Sequence, residues 1–294
     1  MSASFSDTFD AYISRVQSAI PEHLPSVNQK PEKLHQAMHY SMMAGGKRLR
    51  PVMLLACAEG LGSSRDLLPA AVALECLHTY TLIHDDLPAV DNSDLRRGRP
   101  TCHVEFDEST AILAGDGLLN YTFELLSEAY LDEPAIAVRL IKELSIAGGS
   151  RKLIGGQMTD IEAESQQAVL SGEELEFIHR NKTAALIQAS VRMGSVLADS
   201  KKIEEAGKLG FAIGMAFQVI DDILDATQTT EALGKPAGLD DEREKSTYVS
   251  IYGLDEARLH AERYSAEAES LASGMFGAGS FFHSLVQSMS KRLS

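Results

Sequence analysis

The run Leu209-Gly-Phe-Ala-Ile-Gly-Met-Ala-Phe-Gln-Val-Ile220 is apolar on nearly every side, and it closes on Asp221-Asp222-Ile-Leu-Asp225. A helix that is hydrophobic all round must be surrounded by other elements, so this segment belongs to the interior of a larger helical assembly. Gly210 and Gly214 would let a neighbouring helix approach it closely. A second long run, residues 67–84 with Pro69 in its first turn, ends at Asp85-Asp86-Leu-Pro-Ala-Val-Asp91. Elsewhere apolar residues recur at three- and four-residue spacing, and period-two clusters of β-branched residues are absent. The spacing predicts helices over 34–43, 52–61, 110–130, 134–147, 173–198, 203–225 and 255–273. Breaks fall at Gly45-Gly46, Gly60-Leu-Gly62, Gly148-Gly149 and Gly234-Lys-Pro236. The expected architecture is all-α, a single large bundle of roughly ten helices.

No Pro/Gly/Ser linker, charge block or low-complexity tract divides the 294 residues, so one domain over 1–294 is expected. A formal net charge of −15 argues against nucleic acid or an anionic membrane surface as a partner. Cys57, Cys76 and Cys102 form no CxxC pair and no disulfide framework, which fits a reducing compartment. The start, MSASFSDTFDAYISRV, is mixed and acidic, unlike a secretory or transit peptide. The most apolar stretch, 209–220, is shorter than a membrane span. A soluble, cytoplasmic protein is expected.

The aspartates carry the chemistry. Three carboxylates within one or two turns at the end of a buried segment are costly unless a cation joins them. Mg²⁺ suits the position, because it takes oxygen ligands, keeps several waters and is shared with substrate phosphates. Asp221 and Asp225 are four apart and share a helical face, with Asp222 turned about 100° toward solvent or a second layer of contacts. Asp85 and Asp91 are six apart, about 120° on a straight helix. Pro88 disfavours helical geometry at Leu87, so the chain should leave the helix there and can fold Asp91 back. Cations stand where a diphosphate needs them, in Gly45-Gly-Lys47-Arg48-Leu-Arg50-Pro51 and Arg96-Arg97-Gly-Arg99. The first lacks Walker spacing, and arginine forks match phosphate oxygens. His78 lies seven residues before Asp85, on about the same face and two turns below. The residues read as an enzyme that clamps a diphosphate between two carboxylate walls.

The segments GGKRLRP, LHTYTLIHDDLPAVDNSDLRRGRPTCH, GGQ at 155–157, NKTAALI, FQVIDDILD, LGKP and EKSTY run in this order over residues 44–248. Together they resemble the trans-prenyl diphosphate synthases, in particular the bacterial farnesyl diphosphate synthase group. The spacing DDLPAVD is similar to the inserted form of the first aspartate motif in bacterial farnesyl and plant geranylgeranyl synthases. The resemblance implies helices around a central cavity, a homodimer, and condensation of isopentenyl diphosphate with allylic diphosphates. It implies three Mg²⁺ ions on Asp85, Asp91 and Asp221, with Asp86 and Asp225 assisting. It assigns Arg96, Lys182, Lys235 and Lys245 to the allylic diphosphate, and Lys47, Arg50, His78 and Arg97 to isopentenyl diphosphate. Thr183 and Gln218 would offer oxygen dipoles near the allylic cation. Tyr80, five residues before Asp85, and Thr81, four before, stand where an aromatic limits chain length, so a C15 product is expected. The tail Gln287-Ser-Met-Ser-Lys291-Arg292-Leu-Ser294 lacks the terminal tyrosine common in the group.

Three alternatives stand beside this reading. A geranylgeranyl diphosphate synthase would share the chemistry and carry a deeper floor. A di-iron carboxylate bundle could use Glu75-Cys-Leu-His78 and Glu176-Phe-Ile-His179, but it leaves the aspartate clusters and arginines unexplained. A non-catalytic prenyltransferase subunit would have no need of every metal and phosphate group.

Overall fold

The computed structural model describes residues 4–165, 170–227 and 246–293, so Lys235 and Lys245 lie outside the described residues. The fold is all-α apart from one minimal hairpin. The chain forms two compact units, Met1–Leu144 with Val196–Asp199, and Ser145–Ser195 with Ser200–Ser294.

The first unit is built around helix α4 (Leu68–Asp85). Its neighbours are α1 (Phe5–His23), α2 (Glu32–Met42), α3 (Leu49–Gly60) and α6 (Glu108–Ala129), with α6 packed most extensively against it. Leu74, Leu77 and Cys76 of α4 are wholly buried, as a helix with apolar residues on nearly all sides requires. A Ser4 capping box with Asp7 opens α1, and Asp107 caps α6 through the backbone N–H of Thr110. Between α4 and α6 the strands β1 (Leu95–Arg96) and β2 (Arg99–Pro100) pair antiparallel, Leu95 opposite Pro100 and Arg96 opposite Arg99. Arg97 and Gly98, both at positive φ, make the two-residue turn, the conformation that matches strand twist in a tight hairpin. The short helix α5 (Cys102–Glu105) follows.

The second unit is built around α11 (Ile203–Thr227), the helix anticipated from its apolar circumference. It packs against α13 (Leu254–Phe276) and against a π-turn, His179–Ala184, that joins α9 (Gly172–Ile178) to α10 (Ala185–Leu197). The two glycines act as the sequence suggests. A Cβ at Gly214 would lie 2.7 Å from the Cα of Ala184, and one at Gly210 2.8 Å from the Cα of Gln188. Helix α8 (Leu153–Ser165), α12 (Tyr248–Tyr252) and α14 (Phe281–Ser290) complete the unit.

Most helices fall where the periodicity puts them, including α7 (Pro134–Ala147) at both ends. The single helix expected over 173–198 is instead interrupted by the π-turn. Helices α1, α8 and α14 were not anticipated; Pro21 sits inside α1, and Gly155-Gly156 sit in the first turn of α8. Among the described residues no helix is long and apolar enough to cross a membrane.

Gly214→Ala forces a methyl group against rigid backbone and should lower unfolding free energy by about 1–3 kcal/mol in a urea titration. Gly274→Ala in α13 meets no atom within 4 Å and should instead raise it by about 0.5–1 kcal/mol.

Candidate active site

The basic loop of the first unit is pinned by one residue that sequence reasoning did not single out. Arg48, at φ +46, turns its guanidinium inward to Glu75 at 2.6 Å, where the two side chains are 0% and 3% exposed. Gln17 Oε1 accepts from its Nε and Nη2, and the Met42 carbonyl from Nη2. With Arg48 turned inward, Lys47 is exposed and Arg50 meets His78. Arg50 Nη1 donates to His78 Nε2 at 3.2 Å, and Arg50 Nε is buried with no hydrogen-bond partner. Burial lowers the Arg50 pKa to about 10, with Arg97 adding to the effect. The His78 imidazole is held well below 6.5, first by burial and then by Arg50, Arg97, Arg96 and Arg48. Neutral His78 thus accepts from Arg50 inside a field of four arginines. Arg97 is brought in by the hairpin turn and donates to the Gly45 carbonyl. Gly46 has φ +109, and a Cβ there would overlap the Arg97 guanidinium, so only glycine admits this packing. Such a concentration of forks is built for an anion.

The first aspartate cluster lies beside it. Helix α4 ends at Asp85, and the chain turns at Leu87-Pro88 as the proline predicts. The Asp91 N–H donates to the Asp85 carbonyl at 2.9 Å, and the Ser93 N–H to that of Asp86 at 3.1 Å, so Asp91 does fold back. Asp86 is buried and gripped by Arg96, with Nε at 2.9 and 2.8 Å from its two oxygens and Nη2 at 2.7 Å. Burial nevertheless raises the Asp86 pKa. One turn and more below, Tyr80 is 5% exposed, and its buried hydroxyl has no hydrogen-bond partner. Burial, then Asp85, pushes its pKa up to about 12. The Thr81 hydroxyl donates to the His78 carbonyl at 2.7 Å and so faces its own helix.

In the second unit a cavity is lined by Asp160, His179, Lys182, Thr183, Gln218 and Asp222, with Ser246 and Thr247 at its edge. Lys182 Nζ lies 2.5 Å from Asp160 Oδ2, and the π-turn presents Lys182 and Thr183 together. Gly156 of α8 makes this possible, since a Cβ there would stand 2.5 Å from the Lys182 nitrogen. Thr183 Oγ1 donates to Gln218 Oε1, Gln218 Nε2 to Asp222 Oδ1, and the Tyr248 N–H to Asp222 Oδ2, each at 2.9 Å. Asp222 is therefore not turned toward solvent. It is 3% exposed, and burial raises its pKa to about 7. Asp225 is buried as well, whereas the Asp221 side chain is 32% exposed and lies 3.4 Å from Arg292 of the C-terminal tail.

Both Glu-x-x-His pairs serve other purposes. Glu75 holds Arg48 and His78 accepts from Arg50, while Glu176 pairs with Arg180 at 2.9 Å and His179 stacks on Tyr248. Among the described residues no three His, Cys, Asp or Glu side chains are gathered as a closed metal site. Oxygen-only carboxylate sets of one or two groups, beside arginines placed for phosphate, are the donors that Mg²⁺ uses when water and substrate complete its shell. Asp85 and Asp91, joined through the backbone, fit that chemistry, as does Asp221 on α11. Asp160 is the site residue that sequence reasoning missed, and Asp222 takes the second-layer place that spacing left open beside solvent. The only signal for Asp160 was its place three residues beyond the GGQ segment.

The depressed His78 pKa has a stability consequence. Below 6.5 the unfolded chain takes up a proton there that the folded chain refuses, so this contribution is full above 6.5 and is lost as pH falls toward the folded value. Urea stability should drop on acidification with a His78 share of at most about 1.4 kcal/mol per pH unit, and His78→Asn should flatten that slope.

Residues 31–272 match the family Polyprenyl synthetase. The chain is 46% identical over 247 residues to a heterodimeric geranylgeranyl pyrophosphate synthase large subunit 1 of Arabidopsis thaliana, spanning 82% of this chain and 67% of that one. It is 44% identical over 250 residues to the farnesyl diphosphate synthase of Geobacillus stearothermophilus, spanning 83% and 82%. A crystal structure of a Helicobacter pylori geranyltransferase, complexed with magnesium and isoprenyl diphosphate, superposes with a TM-score of 0.84 at 36% identity, covering 100% of this chain and 98% of that one. In sequence and in fold alike, the chain belongs to the polyprenyl synthetase family of prenyltransferases.

Proposed function

We propose that the chain condenses isopentenyl diphosphate with dimethylallyl and geranyl diphosphates, with farnesyl diphosphate as its main product. The observation that carries this reading is the cluster of Arg50, His78 and Arg97 beside the folded-back aspartate loop. It joins an anion site to a Mg²⁺-type carboxylate set on one helix end. In the reaction the allylic C–O bond breaks and its electron pair leaves with the diphosphate. The double bond of isopentenyl diphosphate attacks the allylic cation and forms the new C–C bond. The proton then lost from the adjacent carbon passes to the released diphosphate, so no side-chain base is needed.

Lys47, Arg50, His78 and Arg97 hold isopentenyl diphosphate, and Arg96 and Lys182 hold the allylic diphosphate, with Lys235 and Lys245 completing that grip. To do so Arg96 exchanges Asp86, and Lys182 exchanges Asp160, for phosphate oxygen. Bound Mg²⁺, three ions with Asp85, Asp86, Asp91, Asp221 and Asp225 as protein ligands, supplies positive charge to the departing diphosphate. Thr183 and Gln218 turn oxygen toward the cation. Tyr80, bulky and nearly buried, is the floor that stops the chain at C15. The protein acts as a cytoplasmic homodimer, with residues 1–294 working as one domain.

The reading is tested by turnover of purified protein with Mg²⁺, labelled isopentenyl diphosphate and each of the C5, C10 and C15 allylic primers. Asp85→Ala should lower kcat at least about a thousandfold while the helical circular dichroism persists; retained turnover would remove Asp85 from the metal site. Tyr80→Ala should shift products from C15 toward C20 and longer, and an unchanged distribution would overturn the floor. Mainly C20 from the unsubstituted chain would instead make it a geranylgeranyl diphosphate synthase.

A further inference from the structure

Asp222 belongs to an aspartate motif, yet its surroundings are those of a fixed hydrogen-bond acceptor. Both of its oxygens take N–H donors, Oδ2 from the Tyr248 backbone and Oδ1 from Gln218 Nε2, each at 2.9 Å. His179 Nε2 stands 3.7 Å from Oδ2, and its ring stacks on Tyr248 with centroids 5.4 Å apart. A carboxylate accepts and never donates, whereas a carboxamide has one end of each kind. Asp222 therefore dictates which way Gln218 faces, with nitrogen toward the carboxylate and oxygen toward Thr183. Gln218 Oε1 in turn can only accept, so the Thr183 hydroxyl must donate to it, as it does at 2.9 Å. The hydroxyl proton is thereby turned away, and the lone pairs of Oγ1 are what Thr183 offers the cavity that it and Gln218 line.

We propose that Asp222 is a positioning residue that sets the polarity of Thr183, so that an oxygen lone pair and not a hydroxyl proton meets the allylic cation. The proposal rests on the prenyl-transfer reading above and deepens it. A dipole held in place before charge develops stabilises that charge without reorganisation, and the same dipole reversed opposes it.

The polarity can be inverted and restored by isosteric changes. In Asp222→Asn the side-chain oxygen must still accept from Tyr248, so its NH₂ faces Gln218. Gln218 then turns its oxygen to Asn and its NH₂ to Thr183, and the Thr183 proton is released toward the cavity. Adding Gln218→Glu puts an acceptor opposite the Asn NH₂ and another opposite the Thr183 hydroxyl, returning the lone pairs to the cavity. Asp222→Asn should lower kcat about ten- to a hundredfold with KM for the allylic diphosphate changed less than about twofold. The double variant should recover most of that loss. A folded double variant no more active than Asp222→Asn overturns the proposal, as does a loss that appears in KM alone. If Asp222→Asn does not fold, a double variant that folds and turns over is the expected rescue, and one that also fails to fold overturns it. An unsubstituted chain that condenses nothing defeats the proposed function itself; an active one with an unrescued double variant defeats only the role of Asp222.

Discussion

The buried ion pair of Arg48 and Glu75 is the constraint on which the anion site depends. Two charges removed from water are costly, and their attraction compensates only when every remaining donor is also met. Gln17 and the Met42 carbonyl take the Nε and Nη2 donors of Arg48. What the pair provides is registry more than stability. Glu75 stands one turn before His78 on α4, so drawing Arg48 down to it fixes the basic loop against the helix that carries His78 and Asp85. Arg50, two residues beyond the anchored residue, is then held against His78. The hairpin adds Arg97 from the other direction, laid on Gly46, and the cluster of forks is closed.

The second unit solves a like problem with a chain of hydrogen bonds. Its polar residues form a relay, Thr183 to Gln218 to Asp222, ended by a backbone N–H from Tyr248. Each member has its partner, which is what a buried polar array needs to be rigid and not merely costly. Close packing sets the frame. Gly214 brings α11 onto the backbone of Ala184, next to Thr183, and Gly156 brings α8 onto that of Lys182.

Much of this was legible in the sequence, for identifiable reasons. Apolar spacing located α4, α6, α7, α11 and α13, because burial of one face or all faces leaves a 3.6-residue signature. Pro88 announced the fold-back of Asp91, since a proline restricts the residue before it whatever the tertiary setting. The interior side of Asp222 was not legible: spacing gives an angle relative to Asp221, but not which element occupies that direction. Nor was the pairing of Asp160 with Lys182, which depends on where α8 lies against the π-turn. Arg48 reads on paper like its neighbours Lys47 and Arg50, and what separates it is the left-handed backbone with the ion pair to Glu75.

The π-turn at His179–Ala184 has a consequence for how this helix can change. It amounts to one extra residue absorbed without breaking the rod, so α9 and α10 run in different rotational phase. Removing one residue there would restore α-geometry with the two flanks nearly where they are, whereas removing one within either flank would turn the rest of that flank by about 100°. Leu175 and Ile178 on one side, and Leu186, Ile187 and Ala189 on the other, are all buried. Neither flank can rotate without exposing its apolar face. A one-residue deletion inside the π-turn is therefore the change of length this segment can absorb, and what it would lose is the joint display of Lys182 and Thr183.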